Sequence, residues 1–196
     1  MTGRQQLDRV RAELDEADAR TSRLASGCSL AAWQSRPADG GWSPSECVQH
    51  LVLSVDAMLE RMDVAIADGQ AQGRRGEGPY SAGVLGRLLL WSLEPPYRRL
   101  RTKTGAAFVP ASIRTPDEDV RALRAAHDRV RASLEHARGL SLDRLSIASP
   151  FAARASYNLY AAFAILAVHA RRHLWQAEQA IAQRTPTATD PSSRAV

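Results

Sequence analysis

The sequence predicts an all-α fold, a four-helix bundle, and three observations carry that expectation. Four long stretches repeat apolar side chains at three- and four-residue spacing. Two of them open on a hydroxyl residue followed by Pro and, three residues on, Glu: Ser43-Pro44-Ser45-Glu46 and Thr115-Pro116-Asp117-Glu118. No stretch shows a strong two-residue alternation of the kind a half-buried strand needs.

The first long helix is expected over residues 3–25, with Leu7, Val10, Leu14, Ala17, Thr21 and Leu24 on its buried side and Gly27 ending it. Residues 26–42 form a connection containing Pro37, Gly40 and Gly41. The second long helix starts at the Ser43 capping box and runs to about Asp68, burying Val48, Leu51, Val55, Leu59, Met62 and Ile66. Residues 69–115 differ in character: glycines at 69, 73, 76 and 78 lead to a short helix over Val84–Leu93, stopped by Pro95-Pro96. A connection of that length crosses the fold or covers something. The third long helix opens at the Thr115 box, carries Val120, Leu123, His127, Val130, Leu134 and Ala137 as a seam, and stops at Gly139. The last runs from near Ser156 to before Pro186. Leu159, Ala162, Phe163, Leu166, Ala170, Ala177 and Ile181 form one stripe, with His169 and His173 on the same side and Arg172 pointing away. Tyr157, Ala164, Val168 and Trp175 form a second apolar face.

A short link between the first two long helices suits antiparallel neighbours, and a long crossover between the second and third permits a parallel pair. The expected order is up-down-down-up, in one domain over residues 1–184, with 185–196 a disordered tail.

Composition narrows the function classes. Of 26 basic residues 25 are Arg, against 21 acidic residues, giving a net charge of +5; the skew reads first as codon bias. Arg121, Arg124, Arg131 and Arg138 share one side of the third long helix, but Asp117, Asp128 and Glu135 interrupt them, so a salt-bridged face is expected and no nucleic-acid partner. The longest run free of Asp, Glu, Lys and Arg is Ala155–Ala170, 16 residues, too short for a membrane span. Two cysteines and an opening without an apolar core point to a cytoplasmic location.

The chemistry is expected at histidines. His169 and His173 stand at i, i+4, one above the other on an apolar face, as two imidazoles binding one metal ion would. With the last helix antiparallel to the second, His50 comes to their level, and three imidazoles leave coordination positions open. His127, on the core seam of the third helix, lies within about 6–8 Å of the level of His50; a satisfied core histidine is the default and a catalytic proton-transfer role the alternative. Glu46 is a capping residue first and an orienting partner of His50 second, Cys47 a buried thiol first and a soft fourth ligand second, and His136 a solvated residue at a helix end.

Trp42-Ser43-Pro44 followed by Glu46 and His50-Leu51, with His169-Ala170-Arg171-Arg172-His173 and then Gln176, resembles the DinB/YfiT-like superfamily over residues 33–183. The resemblance implies an up-down-down-up bundle and a divalent metal (Zn, Ni or Fe) on His50, His169 and His173. It also implies transfer of a low-molecular-weight thiol to an electrophilic small molecule. Pro150-Phe151-Ala152 lacks the Gly that the family often has before the last helix. Arg98, Arg99 or Arg101 is expected to hold an anionic thiol. The alternatives are a metal-dependent hydrolase and a non-catalytic metal- or ligand-binding bundle. The second apolar face of the last helix is expected to pair two copies in a homodimer.

Overall fold

In the computed structural model of the protein, residues 1–96 and 105–183 are described. Arg98, Arg99, Arg101 and the expected tail from 185 lie outside them. The elements are α1 (Gly3–Ser26), α2 (Leu30–Gln34), α3 (Pro44–Ala71), α4 (Gly83–Leu93), a 3-10 turn (Ala106–Phe108), α5 (Pro116–His136), strands β1 (Ser146–Ala148) and β2 (Ser156–Asn158), and α6 (Leu159–Ala182).

Side chains fix where the long helices begin. Ser43 and Thr115 accept from the backbone of Glu46 and Glu118, whose carboxylates return to the cap N–H groups. Thr2 and Gln5 make the same reciprocal pair at α1, and Asn158 caps α6. Gly139, at φ 76°, takes the left-handed conformation just beyond α5.

Paired side chains give the helix directions. Asp18 meets His127 and Arg11 meets Glu135, so α1 and α5 are antiparallel. Ser45 meets Asp119 and Asp63 meets Ser133, so α3 and α5 are parallel. His50 meets His169 and Met58 meets Tyr157, so α3 and α6 are antiparallel. Glu13 meets Arg171 and Arg20 meets Glu178, so α1 and α6 are parallel. The result is up-down-down-up, with each long helix packed against two others in the ring α1–α5–α3–α6.

That ring corrects one expectation. α1 and α3 are not neighbours: among the described residues α1 packs on α5 and α6, and α3 lies diagonally opposite. The link between them crosses the end of the bundle and inserts α2. Trp33, fully buried, plugs that end among Ala17 and Ala25 of α1, Val48 and Leu51 of α3, Leu123 of α5 and Leu174 of α6. Its Nε1 donates to Asp119 at 2.9 Å.

The second apolar face of α6 is also accounted for within the chain. α4 runs along it, from Gly86 against Ala161 to Ser92 and Glu94 beside Arg172 and Arg171. A Cβ on Gly86 would stand 2.7 Å from that of Ala161, so only glycine allows this approach. Tyr157 and Val168 are buried, and Ala164 and Trp175 are half-buried. The face therefore gives no support to pairing of two copies. The β1–β2 hairpin, with Ile147 opposite Tyr157, was not expected; three-residue strands are too short to show a period.

Candidate metal centre

His50 lies in the second turn of α3, in a register set by the Ser43 cap. His169 and His173 project from one side of α6, and antiparallel packing brings the three to one level. The Nε2 atoms converge: that of His169 is 3.3 Å from His50 and 3.0 Å from His173, and the three side chains offer ligand atoms all within 4.8 Å of one another. Nitrogens bound about 2.1 Å from one ion stand roughly 3.0–3.4 Å apart in octahedral or tetrahedral geometry, so the separations around His169 suit a shared ion.

The surroundings hold the rings in place. The Nδ1–H of His50 donates to the carbonyl of Phe108 at 2.8 Å, which leaves the lone pair on Nε2. Ser54 Oγ stands 3.5 Å from the same Nε2. Trp42 covers two of the rings, its centroid 4.7 Å from His50 and 5.7 Å from His173, the latter nearly parallel. Phe151 lies 6.3 Å from His169 and 4.8 Å from Phe108. The Nδ1 of His173 is buried without a hydrogen bond of normal geometry, and the Gln176 side chain is its polar neighbour.

Burial keeps all three imidazoles neutral. It is the largest cause at each, pushing His50 down, His173 well down and His169 down to about 3. At His169 the charges of His50 and Arg172 add to it; at His173 those of His169, His50 and Arg172 do. Three neutral imidazoles whose Nε2 atoms face one another form a donor set suited to a divalent cation.

Other expected residues fall elsewhere. His127 lies in the α1–α5 seam, its Nδ1 2.6 Å from Asp18 Oδ1, whose other oxygen takes Arg131 at 2.6 Å. Among the described residues it is not part of the three-histidine group. The Glu46 carboxylate is occupied by the Ser43 backbone and Arg36, so the partner of His50 is Phe108. Cys47 is fully buried, which pushes its thiol up, and it too lies outside the group. His136 is exposed at the end of α5.

Arg172 points away from the histidine stripe, onto the face that α4 covers, and is only 8 % exposed. Its Nη1 donates to the Ser92 carbonyl at 3.1 Å. Phe108 went unread because it sits in the aperiodic crossover, where a backbone carbonyl leaves no trace in sequence.

A family model described as the DinB superfamily matches residues 13–177. No curated protein and no solved structure matches the chain.

Proposed function

The chain belongs to the DinB superfamily, and from that premise we propose that it is a divalent-metal-dependent enzyme that transfers a low-molecular-weight thiol to an electrophilic small molecule. The observation that carries this reading is the convergence of His50, His169 and His173 through Nε2. Zn, Ni and Fe all suit such a donor set. A divalent ion held there would lower the pKa of a thiol or water in its open positions.

The chain's own residues do the rest. Phe108 fixes the tautomer of His50, and Trp42 shields the rings of His50 and His173 from water. Phe151 places an aromatic wall beside His169. His127, its Nδ1 engaged by Asp18, is a satisfied core histidine in this reading, with a proton-transfer role as the alternative. A cytoplasmic location belongs to the same reading, supported by a cysteine content of only two; no described helix is long and apolar enough to cross a membrane.

The test is turnover. The purified protein should carry a stoichiometric divalent metal and catalyse displacement of halide by a thiol on a model electrophile such as a bimane halide. Chelation should abolish that activity and metal return should restore it. Metal bound with no turnover by any common thiol would sink the transferase reading and leave a metal-binding bundle. Chelation-sensitive hydrolysis of an ester would favour the hydrolase.

A further inference from the structure

Ser54 carries a buried hydroxyl whose one acceptor among the described residues is the nitrogen that a metal ion would occupy. It follows His50 by four residues on α3, so the two side chains stand one above the other on one face of that helix. It is fully buried, at 0 % exposure. A serine or threonine inside a helix commonly turns back to the carbonyl four residues earlier. Thr21 does so to Ala17 at 2.8 Å, and Ser22 to Asp18 at 2.9 Å. Ser54 Oγ is aimed instead at the ring of His50, 3.5 Å from Nε2.

Phe108 fixes the direction of that contact. A carbonyl can only accept, so the neutral His50 carries its proton on Nδ1 and a lone pair on Nε2. The Ser54 hydroxyl therefore donates, over a distance longer than the roughly 2.5–3.0 Å usual for a hydroxyl. His169 Nε2 faces the same lone pair at 3.3 Å. With that lone pair given to an ion, the Ser54 O–H has no acceptor left, and an unpaired buried hydroxyl is costly.

The missing acceptor has a definite chemistry. Three neutral imidazoles bring no negative charge to a divalent ion, so its open positions favour an anion. An anion is also the stronger acceptor for a hydroxyl. Atoms bound to one ion stand roughly 3.0–3.4 Å apart, and Ser54 Oγ, 3.5 Å from Nε2, stands beside that shell. A hydroxyl is not among the usual protein ligands of such ions, so its part is that of donor.

Resting on the metal reading of the three histidines, we propose that Ser54 donates a hydrogen bond to the thiolate taken at this centre. Ser54 is then a catalytic residue by contact with the reacting sulfur, and it favours the ionised thiol over the neutral one. The thiol's proton leaves to solvent, Ser54 keeps its own, and no covalent bond forms to Ser54.

The test uses the full chain loaded with Co²⁺, whose visible bands report the metal and whose near-ultraviolet thiolate band reports the thiol. The probe is ethanethiol, which has no second group to chelate the ion. Ser54→Ala should keep its Co²⁺ affinity and bind the thiol about tenfold more weakly. At fixed thiol, the pH at which half the thiolate band has formed should rise by about one unit. Ser54→Thr, which keeps the hydroxyl, should recover most of the loss.

Unchanged thiol affinity in Ser54→Ala would overturn the proposal. A parallel fall in Co²⁺ affinity would overturn it too, by making Ser54 a ligand or a structural residue. A wild type with cobalt bands and no thiolate band sinks the thiol reading and this proposal with it. A wild type that shows no cobalt bands before thiol is added fails earlier, and that result overturns the metal reading itself.

Discussion

Acid should weaken the metal-free protein between pH 8 and pH 5, and His169 should account for about 2 kcal/mol of the loss. Burial, with the charges of His50 and Arg172, holds this imidazole down to about 3 in the folded chain, against an ordinary value of 6.5. Between those limits the unfolded chain takes up a proton that the folded chain refuses. The unfolded state then binds more protons, so stability rises with pH across the window and falls as pH is lowered through 6.5. At pH 5 the unfolded imidazole has gained about 1.5 pH units of protonation free energy, or roughly 2 kcal/mol. His50 and His173 are shifted the same way and add to the effect. Asp119 opposes it, because burial pushes its carboxyl up against its bonds to Ser45 and Trp33. Asp18, held below 3.8 by His127 and Arg131 despite the upward push of burial, loses its contribution only at lower pH. For a chain of this size roughly 2 kcal/mol corresponds to about 4–8 °C in Tm. Thermal unfolding followed by circular dichroism in chelator, at pH 8, 7, 6 and 5, gives the wild-type slope. His169→Ala removes the group while leaving Asp119 in place, and it relieves part of the shift on His173. The variant should therefore be less acid-sensitive than the wild type by at least that amount. Parallel loss of stability in the two proteins would refute the reasoning.

Three further outcomes are open to measurement. His127→Leu should cost about 1.5–3 kcal/mol through the lost bond to Asp18 and leave metal affinity unchanged; a stable, metal-replete variant without turnover would instead give His127 the proton-transfer role. Gly86→Val should push α4 off Ala161 at a cost of about 1–3 kcal/mol, read as lower Tm and faster proteolysis within α4, and a change under about 0.5 kcal/mol would mean that the close approach is not needed. The homodimer expected from the sequence now has a different candidate surface, the outer side of α4, where Val84 is 79 % and Leu88 56 % exposed; Val84→Asp with Leu88→Asp should yield a monomer in sedimentation, and a wild type already monomeric at micromolar concentration would rule out pairing.

The sequence made the bundle legible because its signals are local. Capping boxes at Ser43 and Thr115 marked two helix starts to the residue, and the three-four spacing of Val48, Leu51, Val55 and Leu59 marked a buried face. The histidine centre was legible for the same reason, since His169 and His173 are neighbours along one helix and His50 needed only the antiparallel register. What went unread depends on contacts between elements. Nothing near residue 33 says that Trp33 crosses the bundle end to reach Asp119, and so the α1–α3 diagonal was missed. Nothing near residue 172 says that α4 will cover it. The partner of His50 was sought one turn away, at Glu46, because local reasoning finds local partners; the structure supplies it 58 residues on, at Phe108.

The crossover between α3 and α5 explains why those distant contacts belong together. Two parallel helices adjacent in sequence require a return along the full length of the bundle, and that chain must be spent somewhere. Its first half becomes α4, which closes the second face of α6 and brings the Ser92 carbonyl to Arg172. Its second half brings the carbonyl of Phe108 to His50 and the ring of Phe108 to Phe151. The long helices alone would bring three histidines to one level; the crossover decides which nitrogen of His50 is offered. Substitutions at Phe108 should therefore alter metal affinity without unfolding the bundle, whereas substitutions on the seam, such as Leu123→Ala or Leu166→Ala, should cost about 2–5 kcal/mol in stability and leave the residual folded protein's metal affinity unchanged.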